Sequence, residues 1–286
     1  MPRVTLGDIE LHYERPAPER GGASSGRPPL LLLAGMASDS ASWAPIAPVL
    51  AERFDTIAPD NRCTGRTRPM PVATSREAMV GDALALLDAL GIERVAVLGH
   101  SMGAMLGWAL AAAAPERVTR LVACAATPEI PRARAELFAS LARLRSGGAD
   151  EAEWFRLLFQ FLFSPSLFED PGAVDASVAQ ALAYPHRQGA DAFAVQADAL
   201  AGFVEARDLS AVACPVLAVT AGRDWLARPE AVAARHAAEP NVHVATLPEA
   251  AHALHWEDPE GLLGLAVPFL EGDDPVGGWP GEPPSR

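Results

Sequence analysis

The chain has 286 residues, half of them hydrophobic and 21% charged, which suffices for one large domain or two small ones with a sizeable core. Its formal net charge of −13 argues against a nucleic-acid partner, because the sequence offers no basic stripe to neutralise phosphates.

The spacing of the cysteines and the lengths of the apolar runs indicate whether to expect a metal site, a secreted protein or a membrane protein. Cys63, Cys124 and Cys214 lie far apart and match no metal-ligand spacing, so we expect reduced thiols and no metal. No signal peptide is visible, and no window approaches the run of about 18 apolar residues that a membrane span needs. We therefore expect a cytoplasmic protein with no membrane partner, while the oligomeric state stays open.

Strand and helix patterns alternate in the first part of the chain. Gly7-Asp8 is typical of a hairpin turn, Glu14 to Pro29 of a loop, and the apolar run Leu30–Ala34 of a strand buried on both faces. Further elements are predicted in the order helix near Ser42, strand Phe54–Ala58, helix from Thr74-Ser75 to Gly91, strand from Val95, helix through Ala114 and strand Leu121–Ala125. This alternation indicates βαβ units and a mostly parallel sheet.

The stretch around Ser101 is the strongest functional motif of the sequence. The strand from Val95 runs into the Gly-x-Ser-x-Gly pattern of Gly99–Gly103, and an Ala-rich helix follows at once. This order predicts a nucleophile elbow, a tight turn that holds the serine oxygen at the strand tip, with Ser101 at strained backbone angles. A tight turn with an uninvolved serine has the same pattern, so an acid and a histidine must follow in order.

No strand pattern occurs from about Thr127 to Arg207, where helical periodicity and loops alternate. Eight of the ten phenylalanines fall in this block. They predict the core of a small helical subdomain, the lining of an apolar pocket over the active site, or both together.

The alternation then resumes and supplies the two missing partners. Strands are predicted at Pro215–Thr220 and Val242–Ala245, and helices from Pro229 and Pro259. Asp224 follows the first of these strands and His252 the second, which is the order of a Ser-acid-His triad. An aspartate there is commonly only a turn former or a helix cap. His255 competes with His252, which we prefer because it comes first after its strand.

An ester-cleaving serine also needs two backbone N–H donors for the charge that develops on the attacked oxygen. We expect these donors to be the amides of Met102, directly after the serine, and of Met36, after the Leu30–Ala34 strand. Candidate pocket-wall residues, chosen by type and by neighbourhood in the chain, are His100, Phe159, Phe163, Trp225 and His255.

Together these residues resemble the α/β-hydrolase superfamily. The resemblance rests on Ala34–Met36, on the turn Asp60–Thr67, on Gly99–Gly103, and on Ala251-His252 with Trp256–Pro259. It implies an α/β fold whose mostly parallel eight-stranded sheet is flanked by helices, with residues 127–207 as an inserted helical cap. The hydrolase core would comprise residues 1–126 and 208–271, and residues 272–286 would form a flexible tail. Two positions depart from the family pattern: Ala34 stands where histidine is common, and Cys63 stands where glycine is usual. In the family, the residues that correspond to Asp60 and Arg62 have a structural role.

The function predicted is hydrolysis of a carboxylic ester or lactone of a small, largely apolar molecule through an acyl-enzyme, with no cofactor or metal. Within the superfamily the chain is similar to 3-oxoadipate enol-lactonases, carboxylesterases and aclacinomycin-type methyl-esterases. The same triad could serve C–C bond hydrolysis, acyl transfer or a lyase step, and a binding protein on this scaffold is a further alternative.

Overall fold

The computed structural model of the chain describes residues 2–16, 26–205 and 209–273, and in these a single sheet is surrounded by helices. Its strands are β1 (Arg3–Leu6), β2 (Ile9–Glu14), β3 (Pro29–Leu33), β4 (Asp55–Pro59), β5 (Val95–His100), β6 (Val118–Cys124), β7 (Val216–Ala221) and β8 (Val242–Leu247). The α-helices of the described residues are α1 (Ala47–Ala51), α2 (Arg76–Ala89), α3 (Met102–Ala113), α4 (Arg132–Ser146), α5 (Glu151–Leu162), α6 (Pro171–Ala183), α7 (Ala190–Ala199), α8 (Pro229–His236), α9 (Leu254–Glu257) and α10 (Pro259–Glu271).

The eight strands lie in the order β1-β2-β4-β3-β5-β6-β7-β8. The hairpin β1–β2 pairs antiparallel with β4, and the six strands from β4 to β8 along the sheet are parallel. The predicted mostly parallel, eight-stranded sheet with flanking helices is therefore confirmed. Because the carboxyl ends of parallel strands share one edge, the loops that follow β3, β5, β7 and β8 meet there.

The apolar runs form strands buried on both faces. Along β3, Leu31 and Leu33 join the hydrophobic core on one face of the sheet, and Leu30 and Leu32 join the core on the other face. Strand β5 divides its side chains between the same two cores, as the two-residue period of a strand requires. Ser101, the residue after β5, therefore follows a strand that is buried on both faces.

One local difference separates the predicted from the observed elements. The helix expected near Ser42 is a 3-10 helix over Ser40–Trp43, whose N-cap Asp39 accepts a hydrogen bond from the amide of Ala41, and α1 starts only at Ala47. Helix α2 starts after Ser75, whose hydroxyl accepts from the amide of Ala78, as the Thr74-Ser75 signal predicts. In the described ranges no helix has the length and apolar character to cross a membrane.

Between β6 and β7 the described residues carry helices α4 to α7 and no strand; we call residues 127–205 the helical segment. Phe193 and Phe203 join the core on one face of the sheet, while Phe159 packs in a separate cluster with Val174 and Val178. Two predicted segments lie partly outside the described residues: the tail from residue 274 onward, and residues 17–25 of the N-terminal loop.

Candidate active site

The backbone at Ser101 makes the sharp strand-to-helix turn that the glycine spacing predicts. Ser101 has φ 53° and ψ −119°, in the positive-φ region that L-residues rarely adopt, and it lies between β5 and the first residue of α3. A Cβ on Gly103 would lie 1.9 Å from the carbonyl oxygen of Leu33, and one on Gly99 would lie 2.4 Å from the carbonyl oxygen of Gly103. Both positions therefore require glycine.

Ser101, His252 and Asp224 form one hydrogen-bonded chain. The distance from Ser101 Oγ to His252 Nε2 is 2.8 Å, and that from His252 Nδ1 to Asp224 Oδ2 is 2.9 Å. Because the carboxylate accepts from Nδ1–H, Nε2 of neutral His252 is free to accept the serine proton. The loops after β5, β7 and β8 supply the three residues, so the parallel sheet brings together positions that are more than 120 residues apart.

Asp224 is fixed by its own turn. Its side chain is buried, and Oδ1 accepts hydrogen bonds from the amides of Leu226 at 2.7 Å and Ala227 at 2.9 Å, which leaves Oδ2 for His252. These bonds are typical of an aspartate that forms a turn, which is the alternative weighed from the sequence. One side chain thus forms the turn and also accepts the hydrogen bond from His252.

His100 and His255 lie behind His252. The ring of His100 donates from Nε2 to the carbonyl oxygen of His252 at 2.8 Å, and its centroid lies 4.4 Å from that of His255. Burial, with the nearby charge of His252, lowers the pKa of His100 to about 3. Burial likewise lowers the pKa of His255 well below its ordinary value, and neither nitrogen of its ring has a hydrogen-bond partner among the described residues. His252, and not His255, is hydrogen-bonded to the serine.

The loop after β3 passes directly beside Ser101. A Cβ on Gly35 would lie 3.0 Å from His100 Nδ1 and 3.3 Å from the Cβ of Ser101. In the part of the chain that the structure describes, no hydrogen bond pairs the amide of Met36 or that of Met102. The two expected oxyanion donors are therefore unpaired N–H groups on two segments that flank the serine.

A pair of glutamines, not singled out by the sequence analysis, joins this loop to the helical segment. Gln196 of α7 is fully buried; its Oε1 accepts from the amide of Ala37 at 3.2 Å, and its Nε2 donates to the carbonyl oxygen of Arg62 at 2.8 Å. Gln188 donates to Gln196 Oε1 at 2.9 Å and to the carbonyl oxygen of Cys63 at 2.8 Å. No sequence signal separates these glutamines from exposed ones, because only the packing of α7 buries them.

The turn Asp60–Thr67 holds the neighbouring loops. Asp60 accepts from the amides of Ser40 at 2.9 Å and Arg66 at 2.7 Å, and Arg62 pairs with Asp82 at 2.5 Å. Cys63, at the position where the resembled family usually has glycine, has φ 66°. None of these side chains is hydrogen-bonded to Ser101 or His252.

Ser101 and His252 open onto a cavity of about 420 Å³. Its apolar wall comes from the helical segment, from α3 and from the region of α8, and includes Met105, Ile130, Phe138, Leu226 and Val232. Its charged groups are Glu129, Arg134 and Arg228. The size and the largely apolar lining are typical of a small-molecule site.

None of the five predicted pocket-wall residues lines this cavity. His100 and His255 lie behind His252, and Phe159 and Phe163 pack against α6 in the separate cluster of the helical segment. Trp225 is 43% exposed and stacks under the guanidinium of Arg134, 3.5 Å from its ring centroid. Phe138 and Met105 lie in the wall instead, because the cavity forms where the helical segment packs over α3.

Metal-ligating side chains do not cluster in the described ranges: no group of three or more His, Cys, Asp or Glu residues there could hold a metal ion.

Sequence comparisons agree with this architecture. Residues 28–259 match the family described as alpha/beta hydrolase fold. A protein of Caulobacter sp. (strain K31) named "Putative carbamate hydrolase RutD" is 30% identical over 263 residues, which cover 88% of this chain and 94% of that protein. A protein of the same name from Caulobacter vibrioides (strain NA1000 / CB15N) is 36% identical over 124 residues, which span 43% of this chain and 45% of that relative.

Solved structures share the fold. An esterase from Thermogutta terrifontis superposes with a TM-score of 0.80 at 24% identity, covering 95% of this chain and 98% of that one. The enol-lactonase from Burkholderia xenovorans LB400 superposes with a TM-score of 0.79 at 23% identity, covering 94% and 100%. At these identities the structures establish the fold alone, while the family match and the relatives support hydrolase activity.

Proposed function

The chain belongs to the α/β hydrolase fold family, and we propose that it is a serine hydrolase that cleaves a carboxylic ester or lactone through an acyl-enzyme. The observation that carries the proposal is the hydrogen-bonded chain Ser101–His252–Asp224, whose serine end opens onto a small-molecule cavity. A serine hydroxyl is a weak nucleophile unless a base takes its proton, and this arrangement supplies the base and the group that orients it.

Acylation would proceed as follows. Ser101 Oγ attacks the substrate carbonyl carbon while its proton passes to His252 Nε2, and Asp224 stabilises the imidazolium that results. The imidazolium then gives this proton to the leaving oxygen, the bond to the alcohol breaks, and the acyl group remains on Ser101. A water molecule, deprotonated by His252, attacks the acyl-enzyme and releases the acid.

The amides of Met36 and Met102 would hold the oxyanion during both steps. Their N–H groups are unpaired within the described residues and flank Ser101, which supports this role. Removing one such donor in other serine hydrolases costs about 10²–10³ in kcat, so we expect each of these amides to contribute on that order.

We test the proposal by treating the protein with a fluorophosphonate, measuring its intact mass, and following p-nitrophenyl butyrate turnover in parallel. We expect a single adduct and turnover in the wild type and in the control Ser177→Ala, whose hydroxyl only donates to the carbonyl oxygen of Ala173. In Ser101→Ala the adduct should vanish and kcat should fall by about 10⁴ or more.

Two outcomes would contradict the proposal, each at a different step. An adduct without turnover of any ester would contradict ester hydrolysis and favour C–C bond hydrolysis or acyl transfer on the same serine. No adduct would contradict an activated Ser101. A p-nitrophenyl carbamate belongs in the substrate set, because the relatives' name refers to a carbamate and its carbonyl would be attacked in the same way.

A cytoplasmic location and a small-molecule substrate are part of the same proposal. All three cysteines are buried free thiols, which suits a reducing compartment. The volume and the largely apolar lining of the cavity favour a small molecule over a polymer.

A further inference from the structure

Two guanidinium groups share the cavity with Ser101 and His252. Arg134 comes from α4 and Arg228 is the N-cap residue of α8. Within the described ranges neither side chain has a carboxylate at ion-pair distance, although the chain holds 36 acidic residues against 23 basic ones. Two unpaired cations on the wall of a catalytic cavity are unexpected in a chain with this excess of negative charge.

The two cations repel each other. Burial and then the charge of Arg228 lower the pKa of Arg134, while the charge of Asp224 raises it, so the two guanidinium groups are close enough to interact. Like charges held together on a partly desolvated wall cost free energy unless an anion binds between them.

Arg134 is held in place with donors to spare. One of its nitrogens donates to the carbonyl oxygen of Trp225 at 2.9 Å, and its plane stacks on the Trp225 ring. A guanidinium has five N–H donors, so most remain available. The side chain of Arg228 makes no hydrogen bond within the described residues, and it is exposed at the cavity.

The third charged group of the cavity already has a cationic partner. Glu129 forms an ion pair with Arg235, which also pairs with Glu239. The two charged groups of the wall that have no ion pair within the described residues are thus both cations, and the rest of the wall is largely apolar.

We propose that the substrate is an ester or lactone that also carries a free carboxylate, and that Arg134 and Arg228 bind this carboxylate while the apolar wall holds the carbon chain. The planar guanidinium fork matches a carboxylate with two parallel hydrogen bonds. The inference rests on the proposed function for the reaction at Ser101, and it replaces the largely apolar substrate expected from the sequence.

The first test measures binding, which does not depend on catalysis. In the Ser101→Ala background we compare the Kd of p-nitrophenyl hydrogen succinate with that of p-nitrophenyl butyrate, which has a similar acyl chain without the carboxylate. We expect the succinate to bind at least about tenfold more tightly, the effect of one charge-assisted hydrogen bond. Arg134→Gln with Arg228→Gln should abolish the preference. Arg132→Gln, an exposed arginine of the same helix outside the cavity, should keep it.

A second test measures turnover by the wild type and locates the carboxylate on the acyl or the alcohol side. We compare kcat/KM for the succinate and butyrate esters, and for 3-carboxyphenyl butyrate against phenyl butyrate. A tenfold preference in the first pair places the carboxylate on the acyl side, and one in the second pair places it on the alcohol side. The single variant Arg228→Gln is measured as well, because a substitution at this exposed position should leave the fold intact even if the double variant does not fold.

Equal binding of the charged and neutral esters, or a preference that survives in the double variant, would overturn this inference. Either result would leave fluorophosphonate labelling of Ser101 and butyrate turnover intact. A preference in binding without any turnover would instead contradict the proposed ester hydrolysis and uphold the carboxylate site.

Discussion

At the scale of single residues, the turn at Ser101 shows how a strained backbone is held. A residue in a sparsely populated backbone region costs about 1–3 kcal/mol, and such strain persists only where the surroundings impose it. Here β5 fixes the chain on one side of Ser101, α3 fixes it on the other, and Gly103 packs against the carbonyl oxygen of Leu33. The serine oxygen is therefore presented by the packing of three elements.

This packing leads to a prediction for Gly103→Ala. Because the added Cβ would meet backbone at 1.9 Å and not a flexible side chain, we expect a loss of at least about 2 kcal/mol in the free energy of unfolding, measured with urea. The control is Gly264→Ala in α10, where a Cβ would meet nothing within 4 Å; it should raise stability by about 0.5–1 kcal/mol. Similar stabilities of the two variants would contradict the argument.

At the scale of elements, the contact between α7 and the loop after β3 links the helical segment to the candidate oxyanion site. Gln196 accepts from the amide of Ala37, whose φ is 62°, one residue beyond Met36. The same side chain donates to Arg62 in the Asp60–Thr67 turn. Gln196 thus binds backbone groups of both loops directly, while Gln188 donates a further hydrogen bond to Gln196 Oε1.

We predict that Gln196→Leu lowers kcat for p-nitrophenyl butyrate by about tenfold or more while KM changes little. The Met36 amide would lose its orientation toward a charge that develops only in the transition state. Gln160→Leu, at an exposed position on α5, is the matched control and should leave kcat unchanged. A Gln196→Leu protein that unfolds more easily but retains wild-type kcat would reduce Gln196 to a purely structural role.

At the scale of the whole molecule, the sheet buries two neutral histidines beneath the site. His100 and His255 lie between His252 and Trp43, with neighbouring rings tilted and their centroids 4.4–5.1 Å apart. Their pKa values are lower in the folded chain than in the unfolded chain, where histidine titrates near 6.5. Below that pH the unfolded chain therefore binds protons that the folded chain does not, and stability falls as the pH is lowered.

We predict that His255→Leu weakens the dependence of the unfolding free energy on pH. Replacing His255 by Leu removes one of the two protons taken up on unfolding, so the slope of the unfolding free energy below about pH 6 should decrease by up to about 1.4 kcal/mol per pH unit. Urea unfolding of the wild type and of His255→Leu between pH 5 and 7 measures the two slopes. Equal slopes would mean that His255 titrates alike in the folded and unfolded chain.

Much of the architecture could be predicted from the sequence because it depends on local pattern and on order along the chain. The apolar run Leu30–Ala34, the glycine spacing around Ser101, and the order Ser101, Asp224, His252 each express a constraint that acts within one strand and the turn after it. The two-residue period of a strand and the shared edge of parallel strands then suffice to anticipate which loops meet.

The cavity wall and the glutamine pair were decided only by the tertiary structure. Phe159 and Phe163 have the same residue type as Phe138, yet of the three only Phe138 reaches the cavity, since the packing of α4 against α7 and α5 selects the face that turns inward. Arg134 and Arg228 are 94 positions apart and become neighbours only after folding. Which side chains share a cavity depends on how helices pack, and helix packing sums many weak contacts that no short stretch of sequence contains.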